Sequence, residues 1–123
     1  MGGRRSVGDA EGLAALATVR TAGGGADRAT RRTAVKYTLQ LLAQRAPGHS
    51  VEVRVPPLAA IQAIHGPVHR RGTPSAVVEM DAGTWLDLAT GAVAWADAVR
   101  AGRIRASGAR ADLSPWLPLV PDR

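Results

Sequence analysis

The chain has 123 residues, a formal net charge of +6 and no cysteine, and 46% of it is apolar although it contains no phenylalanine and a single tyrosine. That length supports one domain with a real core, and the missing thiols exclude disulfides, cysteine nucleophiles and thiolate metal sites. The charge excess lies in residues 1–46, with eight cations and three anions, against eight and seven over 47–123. A dedicated nucleic-acid binder carries a basic groove with interleaved aromatics across its body, so no nucleic-acid partner is expected here.

In chain order, residues 1–8 read as an unstructured start, Asp9–Val19 as a weak helix and 21–26 (TAGGGA) as a flexible linker. The domain division that follows is a flexible N-terminal segment, 1–26, and a folded domain, 27–123. Asp27 or Thr30 caps a stronger helix to about Ala46, with Val35, Leu39 and Leu42 at helical spacing beside Ala34 and Leu41. Pro47–Gly48 ends it. Val51 to Val55 alternates apolar and charged residues, the pattern of a strand with one wet face, and Pro56–Pro57 closes it. Residues 58–65 (LAAIQAIH) form an antiparallel partner, 66–74 a turn-rich loop, and 75–80 (SAVVEM) a third strand.

Asp81 then caps a helix whose stripe is Trp85, Leu88 and Ala89, stopped by Gly91 in the left-handed position. Trp95, Ala98 and Val99 repeat the pattern up to Gly102, and Arg103–Ile104–Arg105 reads as a strand. Residues 111–119 (ADLSPWLPL) form a capped turn or short helix packing Leu113, Trp116 and Leu117.

Helices of barely two turns do not stand alone; they make sense laid over a sheet to which they return the chain. That arrangement resembles the sterol carrier protein family, in the residues Val77–Met80, Asp81, Trp85–Gly91, Trp95–Val99 and Gly102–Gly108. The whole chain is most similar to the small stand-alone bacterial branch, in which a basic helix precedes a strand like Val51–Pro57. The resemblance implies an α+β domain, a mostly antiparallel sheet with helices packed on one face. It also implies an apolar tunnel for a fatty acyl chain or sterol, lipid carriage without catalysis, and no cofactor. The shortened first hairpin at Pro56–Pro57 and the proline-interrupted final segment depart from the better-known members.

The tunnel candidates are Ile61, Val78, Trp85, Leu88, Trp95, Ala98, Val99, Ile104, Leu113, Trp116 and Leu117; the competing assignment is an ordinary core, with tryptophan in place of phenylalanine. Arg28, Arg32 and Lys36, four residues apart, are candidates for transient contact with an anionic membrane surface, or a solvated helix face. The expected partner is a fatty acid or other apolar lipid. The second reading is the same fold as a protein-interaction or accessory module with a closed cavity, its protein partner unknown. His65 and His69 have metal-like spacing, but Gly66–Pro67 between them rules out one helix, so no metal site is expected. Asp87 and Asp97 are helix-surface acids, and no nucleophile motif such as G-x-S-x-G occurs. A cytoplasmic protein is expected: no stretch nears the roughly 18 apolar residues of a membrane span, and Asp9 and Glu11 stand where an export signal needs an apolar run.

Overall fold

A computed structural model describes residues 6–108 and 111–120; most of the start expected to be unstructured, residues 1–5, lies outside them. Helix α1 spans Asp9–Ala22, and a single 3₁₀ turn of three glycines, Gly23–Gly25, leads to helix α2, Arg28–Arg45. The capping choice falls on Asp27, whose Oδ1 accepts the Thr30 N–H at 2.7 Å. Strands β1 (Val51–Val55), β2 (Ala59–Ala63) and β3 (Ala76–Glu79) follow, then helices α3 (Ala82–Thr90) and α4 (Trp95–Arg100) and strand β4 (Arg105–Gly108). A 3₁₀ turn at Ser114–Trp116 closes the described chain.

The four strands form one sheet in the order β2-β1-β3-β4. β1–β2 and β3–β4 are antiparallel and β1–β3 is parallel, so the sheet is mixed, two of its three pairings being antiparallel. The alternation in β1 sorts its faces as expected: Val51, Val53 and Val55 are fully buried, while Glu52 and Arg54 lie on the other side. Register carries the apolar face across the sheet, because Val51 pairs with Ala63 and Ala76, and Val53 with Ile61 and Val78. That face meets the helices.

Helix α3 forms where its local signals place it. Asp81 Oδ1 accepts the Thr84 N–H at 2.7 Å, and Gly91 ends the helix at φ +84°, a region that costs residues with a Cβ. Its two turns are held by tertiary contact: Trp85 is completely buried, and its indole Nε1–H donates to Thr38 Oγ1 at 2.8 Å. The Thr38 hydroxyl in turn bonds back to Ala34 O within α2. A threonine in mid-helix is thereby explained, since it satisfies the one polar atom of a buried tryptophan.

One expectation changes. The strand expected at Arg103–Arg105 lies later, at Arg105–Gly108. Arg103 N–H bonds Ala98 O in the turn after α4, and its guanidinium reaches Thr84 Oγ1 (3.0 Å) and Asp87 Oδ2 (2.9 Å). Arg103 is therefore a cross-link rather than a strand residue, and its ion-pair partner is Asp87, an acid on the surface of α3. Asp97 pairs instead with Arg100 on its own helix.

Both ends of the described segment are tied to α2. α1 lies along α2, burying Ala15 and Leu16. Gly12 sits over the Tyr37 ring so closely that a Cβ there would overlap it, and the Tyr37 hydroxyl donates to Asp9 at 2.9 Å. At the other end, Arg45 donates to the carbonyls of Trp116, Pro118 and Leu119.

Candidate functional site

The apolar candidates divide by depth. Val78, Trp85, Leu88, Ala98 and Leu113 are fully buried in the core; Ile61, Trp95, Ile104, Trp116 and Leu117 are half-buried against it. Val99 stands apart, 50% exposed on the outer side of α4. The structure thus brings ten of these side chains into one cluster and leaves one outside it.

Among the clefts formed by the described residues, four differ in their chemistry. The first, about 420 Å³, runs between α2 and the outer edge of β2. Leu39, Leu58, Ala59 and Ile61 supply its apolar surface, and Arg32, Lys36, Gln40 and Ser6 its polar rim. Among the described residues, no acidic side chain lines it. The second, about 390 Å³ between α1 and α3, sets Leu16, Val19 and Leu86 beside Arg20, Arg31 and Asp87. The third and fourth flank Asp81, and the third also contains Glu79. The first cleft therefore joins apolar surface to uncompensated positive charge.

The cause of that charge is local. Helix α2 has no Asp or Glu between Arg28 and Arg45, so its cations find no partner along their own helix. Among the described residues, Arg28, Arg32 and Lys36 take part in no ion pair. Helical spacing stacks them one turn apart on one side: Arg32 and Lys36 reach the first cleft, and Arg28 joins Arg31, Pro56, Pro57 and Leu58 at the fourth. Leu58 lines both, so the two clefts adjoin at the hairpin tip.

Gln40 has a structural task in the rim. Its amide pairs with both peptide groups of Val7, Nε2 donating to Val7 O at 2.8 Å and Oε1 accepting Val7 N–H at 3.0 Å. This places Ser6 at the cleft. Neither residue stood out in the sequence, because the pairing spans 33 positions and an isolated glutamine carries no signal. Leu58 had a weak signal as the first residue of an apolar run.

The perturbed titrations lie away from this cleft. Asp81 is held below its ordinary value chiefly by the Thr84 backbone N–H, then by the Thr84 side chain, with Arg103 and Arg31 adding attraction. Asp27 is lowered by its bonds to Thr30, and Tyr37 is raised by burial and by Asp9. All three are accounted for by caps or helix docking. His65 and His69 are both exposed, and no three His, Cys, Asp or Glu side chains gather as a metal site among the described residues. No helix among them is long and apolar enough to cross a membrane.

No curated protein matches the chain. The family model described as "bacterial SCP ortholog", SCP standing for sterol carrier protein, matches residues 27–119, from the cap of α2 to the end of the segment clamped by Arg45. That is about three-quarters of the chain and takes in all four strands, so this protein belongs to the bacterial branch of the sterol carrier protein family.

Proposed function

We propose that this protein is a non-enzymatic carrier of a single-chain lipid, a fatty acid or similar amphiphile, whose tail lies in the cleft between α2 and β2. The observation that carries the reading is the union of an apolar floor (Leu39, Leu58, Ala59, Ile61) with two cations free of ion pairs, Arg32 and Lys36, in one cleft of about 420 Å³. Small-molecule sites span about 300–1,000 Å³ and combine apolar walls with few polar groups. Each buried methylene contributes about 0.8 kcal/mol, whereas an exposed ion pair contributes roughly 0.2–1 kcal/mol. The tail therefore supplies the affinity and the cations set the orientation. Association costs of several kcal/mol leave binding at about micromolar strength.

Of the tunnel candidates, Ile61 contacts the ligand in this reading, and Val78, Trp85, Leu88, Ala98 and Leu113 form the packed wall behind it. Arg28 and Arg31, beside the Pro56–Pro57 tip, support transient contact with an anionic bilayer during exchange; we place this in the cytoplasm. The test is palmitate uptake followed by native mass spectrometry. Wild-type protein should gain one palmitate, and Ile61→Glu should lose that adduct while staying folded. If Ala98→Leu abolishes uptake and Ile61→Glu does not, the chain lies in the interior instead. If wild-type protein takes up none, the carrier reading falls.

A further inference from the structure

One wall of the cleft between α2 and β2 comes from outside the family domain. That domain covers residues 27–119, yet Ser6 lines the cleft. Ser6 is held there through its neighbour. Val7 N–H donates to Gln40 Oε1 at 3.0 Å, and Val7 O accepts from Gln40 Nε2 at 2.8 Å. A single planar amide thus engages both backbone groups of one residue, and the Val7 side chain is buried in the core. Together these contacts clip the segment to α2.

The chain path gives the cleft a direction. Leu58, just before β2, shares the fourth cleft with Arg28 and Arg31 at the start of α2. Ile64, just after β2, donates its N–H to Ala46 O at the end of α2. Helix and strand therefore run in the same sense. Arg32 and Leu58 mark the end that opens toward the fourth cleft, and Gln40 with Ser6 marks the other. From Arg32 to Gln40 the helix advances about 12 Å. An extended chain advances roughly 1.2 Å per single bond, so about ten carbons reach from Arg32 to the clip.

We propose that the Gln40–Val7 clip is an end stop that sets the length of acyl chain this cleft prefers, an inference that rests on the carrier reading and deepens it. The carboxylate meets Arg32 at the open end, the tail crosses Leu39 and Ile61, and its last carbons abut Ser6. A longer tail gains no further apolar floor. It has to push its carboxylate past Arg32 into the fourth cleft, where Asp81 sits among the cations. Affinity should therefore climb by up to about four-fold per added methylene and level off at about ten to twelve carbons. Gln40 acts here through Val7, as a positioning residue.

The experiment offers the full chain an equimolar mixture of octanoate, dodecanoate and palmitate and compares the adducts by native mass spectrometry. In wild-type protein dodecanoate should exceed octanoate several-fold, while palmitate exceeds dodecanoate by no more than about two-fold. Gln40→Met keeps the bulk of the side chain but makes neither bond to Val7. It should raise palmitate over dodecanoate by about ten-fold or more and quicken amide exchange at Val7. Ser6→Trp thickens the wall with the clip intact and should shift the preference from dodecanoate toward octanoate. A wild-type preference that keeps climbing to palmitate overturns the stop and leaves the carrier reading standing. So does an unchanged profile in either variant, or Val7 exchange that Gln40→Met does not alter. Uptake of none of the three acids brings down the carrier reading and the stop together.

Discussion

The interior around Trp85 and the cleft beside β2 sit on the same face of the same sheet, yet they are built on opposite rules. At Trp85 every group is matched: the ring is buried, its N–H is bonded to Thr38, and Leu88, Val78 and Leu113 close around it. At the cleft much is unmatched among the described residues: Gln40 is paired with Val7, but Arg32 and Lys36 have no acid, Ile61 is half-exposed and β2 is an edge strand of the sheet. A small domain places its stability in the first kind of region and leaves the second kind for binding, since a satisfied group has little left to offer a ligand.

Substitutions should separate the two regions, the greatest effect on stability coming from the interior. Trp85→Ala should cost about 3–5 kcal/mol of unfolding free energy, from lost burial and the cavity left behind; urea unfolding measures it. A cost under about 1 kcal/mol would remove the contrast. Gly12→Leu is next: overpacking against Tyr37 costs roughly 1–3 kcal/mol, only partly offset by the better helix propensity, about 1 kcal/mol. Faster amide exchange confined to α1 is the expected signature. Unchanged exchange there would mean that the Gly12–Tyr37 contact does not hold the helix.

Asp81→Ala should cost about 1 kcal/mol through loss of the α3 cap. The pH dependence gives the sign. Asp81 titrates below its unfolded value of about 3.9 because the folded carboxylate accepts the Thr84 N–H. The unfolded chain then binds more protons in that range, so this stabilisation is complete above the unfolded value and fades as pH falls through the folded one. Acid titrations of wild-type and Asp81→Ala protein should converge below that window, and a constant gap would contradict the cap's charge. The smallest stability effect belongs to the cleft: Arg32→Gln with Lys36→Gln should change unfolding by less than about 0.5 kcal/mol. The same pair should weaken palmitate binding several-fold and flatten its salt dependence; unaltered binding at low salt would separate the cations from the ligand.

Local chemistry was legible in the residues. Asp27, Asp81 and Gly91 act within three or four positions of themselves, so their capping roles follow from sequence spacing. The alternation at Val51–Val55 and the stripe at Val35, Leu39 and Leu42 likewise expose their buried faces. Arg103 was misplaced because its partners, Thr84 and Asp87, lie 19 and 16 positions away, and three residues of alternation looked like a strand. The cleft was half visible: Arg32, Lys36 and Ile61 were each singled out, though for different tasks, and their meeting depends on α2 packing over β2.

By itself, then, the sequence determined the family, the class of fold, the helix caps and which face of β1 is buried, because each rests on short-range steric and solvation preferences. Tertiary structure alone decided that β1 lies parallel to β3, that Thr38 serves Trp85 across 47 positions, and that Arg45 clamps the last described segment. It also decided that cations on one helix overhang an open strand edge on another element. These depend on where the chain returns in space, and a site assembled from α2 and β2 exists only once the sheet has closed beneath the helix.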